Sequence, residues 1–243
     1  MNTLLLRLAA PMQSWGVNSK FDKRMTADIP TKSGIIGLLA CALGIRRNQP
    51  LEIFKDIKLG VRIDQKGEMG VDFQIVRDDT NKNKIKTWVT TRYYLMDAVF
   101  LVAIEGPLEI LKEFDNALKN PMFPLYLGRR SCPPAGQVSL GIRDTELKEA
   151  LRQEPWLVAE WRQRYMMKNG DTQLEIVRDA DINEDAYIVR DVPLTFNQGH
   201  RLYNFRNVAR EFIPLESICG MQCSDTDHDP MELMEDNYVS DKN

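Results

Sequence analysis

One run limits what this chain can become: Pro30-Thr31-Lys32-Ser33, then Gly34 to Ile45 without a charged or strongly polar residue. A helix that is apolar on all sides must be covered on most of them, so the run predicts a buried core helix. Thr31 or Ser33 can cap its first turn. The unpaired N–H groups of that turn, with Lys32 beside them, would form a seat for a phosphate. Arg46 and Arg47 suit the far end of the helix dipole, which accounts for them without a nucleic-acid role. The run is too short to span a bilayer, and no membrane association is expected.

With 43% hydrophobic residues in 243, the chain has material for a core that needs no disulfides. Its four cysteines, Cys41, Cys132, Cys219 and Cys223, are scattered apart from one Cys-x-x-x-Cys. A lone pair of that kind is poor zinc-binding material, so reduced thiols in a cytoplasmic protein are expected, with no metal and no cofactor. The Met1–Ala10 stretch lacks the pattern of a signal peptide. The net charge of −3 hides an asymmetry: residues 1–143 carry +7, residues 144–223 carry −4, and residues 224–243, with seven acids and one base, carry −6. The first part is therefore the candidate for a polyanion partner. The last segment, acidic and poor in aromatics, is expected to be disordered.

Taken in order, Leu4 to Leu8 reads as a buried strand and Pro11 to Gly16 as a loop holding Gln13, Ser14 and Trp15. Trp15 either stacks on a base or covers the strand end. The polar stretch from Ser19 to Asp28 carries Lys20, Lys23 and Arg24 to the helix. Alternation predicts a strand over Asp56–Asp64 and a long hairpin over about 70–92. On one face of that hairpin Lys86, Trp88, Thr90 and Arg92 fall together, and bases flanking an aromatic suit a single-stranded nucleic acid. A strand over Ala98–Glu105, an amphipathic helix over Pro107–Lys119 and a strand over Pro124–Gly128 follow, then a basic loop with Arg129 and Arg130. This order fits an α+β chain: a ferredoxin-like (RRM-like) domain over 1–143 with the hairpin inserted, and a smaller β-rich part over 144–223. A short helix over Thr145–Gln153 and extended pieces at Leu174–Val177, Tyr187–Val189 and Phe205–Ile213 complete it.

Catalytic motifs are scarce. His228 lies in the acidic segment, which leaves His200 as the one histidine for a folded site. Lys32-Ser33 resembles the end of a Walker loop, but the upstream glycine is missing, which disfavours nucleotide hydrolysis. Gly34-Ile35-Ile36-Gly37 has the spacing of a nucleotide-clamping loop, yet its apolar middle favours close helix packing.

Four stretches together resemble the CasD (Cas-five) family of CRISPR-associated proteins, and most closely its type I-E form: Leu6 to Gly16, Pro30 to Leu39, Tyr126 to Pro134 and Arg190 to Pro193. The resemblance implies a ferredoxin-like domain with a protruding thumb and a small C-terminal β domain. It also implies a non-catalytic Cascade subunit in antiviral defence that caps the 5′ handle of CRISPR RNA and touches a backbone subunit and the large DNA-recognition subunit. Gln13, Ser14, Trp15, Arg24, Thr31, Lys32, Ser33, Lys86, Trp88, Arg92, Arg129 and Arg130 are then the candidate RNA contacts. The helix start should meet the Gln13–Gly16 loop and the Arg129–Arg130 loop. Type I-C relatives imply an alternative, a metal-independent endoribonuclease, for which His200, Lys86 and Tyr93 are the candidates.

Overall fold

The computed structural model describes residues 1–16, 22–78, 86–197 and 199–218. The elements in chain order are β1 (Asn2–Ala9), β2 (Met12–Gln13), β3 (Lys23–Arg24), α1 (Lys32–Leu43), β4 (Lys58–Gln65), β5 (Glu68–Asp78), β6 (Lys86–Met96), β7 (Val99–Gly106), α2 (Leu108–Lys119), β8 (Ser139–Arg143), α3 (Leu147–Gln153), α4 (Glu160–Lys168), β9 (Gln173–Asp179), β10 (Tyr187–Thr195) and β11 (Leu202–Pro214).

The apolar run folds as the helix α1. Thr31 is its N-cap, its Oγ1 accepting the Gly34 N–H at 3.2 Å. Gly44 ends it in the left-handed region at φ 79°, and the Ile45 N–H reaches back to the Ala40 carbonyl at 2.9 Å.

Seven strands form one antiparallel sheet in the order β10-β11-β9-β4-β7-β1-β8. Successive residues of a strand point to opposite faces, and at the centre of this sheet both faces are covered. Leu4, Leu6, Leu8, Val102 and Ile104 join one core with Ile35, Leu39, Leu111 and Phe114 of α1 and α2. Leu5, Leu101 and Ala103 join a second core with Leu147 and Leu151 of α3, Trp156, Ile176 and Ile213. Double burial is why β1 and β7 read as continuous apolar runs rather than as alternating ones.

One expectation changes. Residues Pro124 to Gly128 form no strand. Pro124 has no N–H to give, while Leu127 donates to the Cys132 carbonyl at 2.7 Å and accepts from the Ser14 N–H at 3.0 Å. The strand that completes the first part is β8, paired with β1. Helix α4 has no counterpart in the sequence reading. And the 143/144 boundary is no break in the sheet, because β9 pairs with β4 and carries β11 and β10 with it. The hairpin tip, Cys219, Cys223 and the acidic segment lie outside the described residues. Among the described residues Cys41 and Cys132 are free thiols, no group of side chains could hold a metal ion, and no helix is long and apolar enough to cross a membrane.

Buried charges fasten the later strands to the first part. Lys32 Nζ meets Asp179 Oδ2 at 2.8 Å, and Arg206 binds Asp179 Oδ1 at 2.6 Å and Asp191 Oδ1 at 2.7 Å. Burial works to raise the Asp179 pKa, but Lys32 and Arg206 outweigh it and hold the carboxyl below its ordinary value. A carboxyl depressed in the folded state contributes stability that is present above its unfolded pKa and lost as pH falls through the folded one. Asp179→Asn is therefore expected to cost about 2 kcal/mol near neutral pH. Urea melts of both proteins across pH should show the gap closing below about pH 4; a gap independent of pH would mean that the charge of Asp179 contributes nothing.

Candidate nucleic-acid interface

Strands β5 and β6 form a hairpin whose register places Asp72 opposite Arg92, Val76 opposite Trp88 and Ile75 opposite Val89. With side chains alternating, one face carries Lys86, Trp88, Thr90, Arg92 and Tyr94 from β6. This strip runs roughly 26 Å from the tip to the body at about 3.3 Å per residue. Trp88 is 46% exposed on it. The opposite face carries Met69, Val71, Phe73, Ile75 and Val89, an apolar surface on which Phe73 and Ile75 are each 62% exposed.

At the inner end of the strip, β3 pairs in parallel with β6 so that Arg24 lies beside Arg92. Neighbouring guanidinium groups repel, so such a pair favours an anion between or above them. A third guanidinium arrives from the loop after α2: Arg129 stacks 4.6 Å over the Tyr94 ring and donates from Nη2 to the Arg24 carbonyl at 2.8 Å. Arg92 Nε and Arg129 Nη1 are buried and have no hydrogen-bond partner among the described residues. The Tyr94 hydroxyl is the common point. Burial works to raise its pKa, but hydrogen bonds from Ser131, Arg129 and Arg92 and the Arg129 charge outweigh burial and lower it. Arg92 and Arg129 thus meet on one tyrosine, with Arg24 beside Arg92 and Asp72 opposite it in the strand register.

The loop that presents Arg129 is fixed by its fit against the Gln13–Gly16 stretch. Gly128, at φ 85°, lies so close that a Cβ there would stand 1.6 Å from the Ser14 carbonyl oxygen. Trp15 is fully buried and packs on Gly34 of α1, where a Cβ would meet its ring at 2.7 Å. The helix start, the Gln13–Gly16 stretch and the Arg129 loop do converge, with Trp15 at the centre.

The comparisons with known proteins agree on one kinship. The family described as CRISPR-associated protein (Cas_Cas5) matches residues 3–209. The chain belongs to this family. The CRISPR system Cascade subunit CasD of Escherichia coli (strain K12) is 35% identical over 159 residues, covering 57% of this chain and 70% of that protein. A chain of a solved CRISPR RNA-guided surveillance complex superposes with a TM-score of 0.73 at 32% identity, over 90% of this chain and 93% of its own length. A crystal structure of a Cas protein gives 0.69 at 36% identity, over 89% and 97%.

For this family member the sequence-derived contacts divide into two groups. Arg24, Arg92 and Arg129 come together, and Lys86 and Trp88 line the same face of the hairpin. Arg130 is exposed but its charge is felt by the Cys41 thiol on α1, whose pKa burial raises and Arg130 lowers. The other side chains are engaged within the fold. Trp15 offers no ring for stacking; its Nε1 donates to Gln13 Oε1 at 3.1 Å. Gln13 is buried, its Nε2 donating to the Ala98 carbonyl at 2.8 Å. Ser14 is buried under the Arg129 loop. Thr31 is spent on the cap, with Ser33 Oγ 3.3 Å from its hydroxyl. The phosphate seat at the start of α1 is filled from within the chain: the Lys32 N–H donates to Asp191 Oδ2 at 2.7 Å, and its Nζ is committed to Asp179 and the Ile57 carbonyl. A carboxylate at a helix N-terminus does what a phosphate would do there. Tyr94 and Ser131 are the residues that the sequence reading missed. The alternation that gathers Lys86, Trp88 and Arg92 extends to Tyr94, so one of the two was within reach. Lys86 and Tyr93 fall on opposite faces of β6, roughly 23 Å apart along the strand. His200 is exposed in the β10–β11 connection.

Proposed function

We propose that this chain is a non-catalytic subunit of a type I-E CRISPR RNA-guided surveillance complex of the cytoplasm, in which it holds the 5′ handle of the CRISPR RNA. The observation that carries the RNA contact is the Arg24–Arg92–Arg129 patch around Tyr94, continued by Trp88 and Lys86 along the hairpin. Phosphate neutralisation at one end and an exposed ring further along are the two things a single strand needs. Kinship with CasD and with a chain of the surveillance complex supports the assembly. The order β8-β1-β7-β4, with α1 and α2 as crossovers, supports reading the core as ferredoxin-like and the β5–β6 hairpin as its thumb. The apolar face of that hairpin suits contact with the neighbouring backbone subunit. The endoribonuclease alternative has less behind it, since Lys86 and Tyr93 face opposite ways on β6.

The test is Arg92→Gln with Arg129→Gln in the assembled complex. Handle RNA retained at moderate salt should fall by tenfold or more, and the slope of log affinity against log salt should flatten by about 1.4 for two lost contacts to a single strand. Unchanged retention and slope in a variant of unchanged melting temperature would refute the site.

A further inference from the structure

Helix α4 has one face that is at once aromatic, basic and open. Its other face is held down. Gln163 Nε2 donates to the carbonyls of Trp156 and Val158 at 3.3 and 2.6 Å, and Met166 and Met167 pack on the second core. Trp161, Arg164, Tyr165 and Lys168 stand at i, i+3, i+4 and i+7, so they form one stripe on the opposite side. Trp161 is 68% exposed and Tyr165 54%, with Arg164 and Lys168 exposed beside them. The Arg162 guanidinium lies 4.9 Å over the Tyr165 ring. Among the described residues the one carboxylate paired with the stripe is Glu160, 4.0 Å from Arg164. The helix thus carries three bases and one acid, within a part of the chain, residues 144–223, whose net charge is −4.

We infer that this face of α4 is a second nucleic-acid contact, one that takes an unpaired strand without regard to its sequence or its sugar. Each ring is followed three residues on by a cation, Trp161 by Arg164 and Tyr165 by Lys168, so a ring–cation unit is repeated once along the helix. A single strand repeats the complementary unit, a base to stack and a phosphate to neutralise. The two units are offset by about 6 Å along the axis at 1.5 Å per residue. That is close to two stacking intervals of about 3.4 Å, so one base can touch both rings. A duplex keeps its bases stacked on one another and would leave the rings unused. The groups on α4 that could read a base edge are engaged elsewhere, Gln163 on two carbonyls and Glu160 on Arg164, which is why the contact ignores sequence. A protein partner is the poorer fit, because a tryptophan anchor in a protein interface needs apolar neighbours to exclude water, and here its neighbours along the stripe are charged. The contact is also separate from the handle patch. Tyr94 belongs to the first core and α4 rests on the second, across the seven-stranded sheet.

The test uses the full chain with Arg92→Gln and Arg129→Gln in place, so that success or failure of the handle patch leaves the result unchanged. A short fluorescent oligodeoxythymidine is titrated by anisotropy. Adding Trp161→Ala and Tyr165→Ala should weaken binding by about tenfold or more. Adding Arg164→Gln and Lys168→Gln instead should flatten the slope of log affinity against log salt by about 1.4. Oligouridine should bind as well as oligodeoxythymidine, since rings and cations do not read the 2′-hydroxyl. Ultraviolet crosslinking of oligodeoxythymidine to the unaltered chain should place adducts on Trp161 or Tyr165. Undiminished affinity in the double-alanine variant at unchanged melting temperature would overturn the inference, as would adducts that form on Trp88 and never on α4. A strong preference for oligouridine would overturn its indifference to sugar. Polyglutamate binding that is lost in the double-alanine variant, with oligodeoxythymidine binding untouched, would assign the face to an acidic protein instead.

Discussion

Alanine at position 128 is expected to lower stability by roughly 3 kcal/mol and to release handle RNA at the same time. Gly128 sits at φ 85°, and its missing Cβ would fall 1.6 Å from the Ser14 oxygen and 2.7 Å from the Ser14 carbonyl carbon. The left-handed backbone alone costs a side chain about 1–2 kcal/mol. The clash adds more, because the obstacle is backbone, held by the Ser14 N–H bond to the Leu127 carbonyl at 3.0 Å. Relief requires the loop to move, and that loop carries Arg129 and Ser131 onto Tyr94. At this chain length 3 kcal/mol corresponds to about 10 °C in Tm. Gly136→Ala is the control: its φ of 83° is nearly the same, but nothing lies within 4 Å of the added Cβ. It should cost about 1 kcal/mol and leave RNA retention intact. Equal losses in the two variants, measured by thermal melts and RNA retention, would show that contact with Ser14 is not the reason for the glycine.

The second large effect is expected at Arg62. Its side chain is fully buried, with Nε 2.6 Å from Asp64 Oδ1 and Nη2 2.9 Å from Asp64 Oδ2. It also donates to the carbonyls of Leu151, Glu154 and Pro155 at 2.7, 2.7 and 2.8 Å. Arg62 thus ties β4 to the end of α3 and the turn beyond it. Arg62→Met leaves a buried carboxylate and three carbonyls without their donor, for a loss of about 3–5 kcal/mol in urea unfolding. Arg62→Met with Asp64→Leu removes the stranded charge and should recover part of that loss. Recovery stays incomplete because Asp64 Oδ2 also accepts the Leu157 N–H at 2.8 Å. A double variant no better than the single would show that the lost carbonyl contacts dominate and that the stranded charge does not. RNA retention by either variant, measured well below its melting temperature, should stay near that of the unaltered protein, since the pair lies on the opposite core from the arginine patch.

Local pattern made much of this legible. The N-cap and apolar length of α1, the alternation of β4, β5 and β6, the stripe of α2 and the strand cores of β7, β9 and β11 all follow from spacing. The failures are specific. Nothing in Gln13-Ser14-Trp15-Gly16 distinguishes a tryptophan that stacks on a base from one that packs on a glycine nineteen positions later; only the pairing of Trp15 with Gly34 decides it. Lys32 looks like a phosphate ligand because its partners, Asp179 and Asp191, lie about 150 residues away in sequence. Pro124 to Gly128 has the composition of a strand but finds its hydrogen bonds in Ser14 and Cys132. Helix α4 escaped notice because its apolar stripe is short: only Met166 and Met167 touch the second core, while Trp161 and Tyr165 face outward and blur the period.

The sequence by itself determined the things that depend on near neighbours: that α1 must be buried, that a long hairpin projects with bases and an aromatic on one face, and that the charge is basic early and acidic late. Only the tertiary structure decided which positive charges are free to meet an anion. The Lys32 charge is neutralised by Asp179 of β9, while Arg92 and Arg129 are drawn together on Tyr94 with Arg24 beside Arg92 in the strand register. The physical reason is that a charge acts through what lies within a few ångströms of it, and in a sheet whose neighbouring strands are remote in sequence that company is set by the pairing of strands.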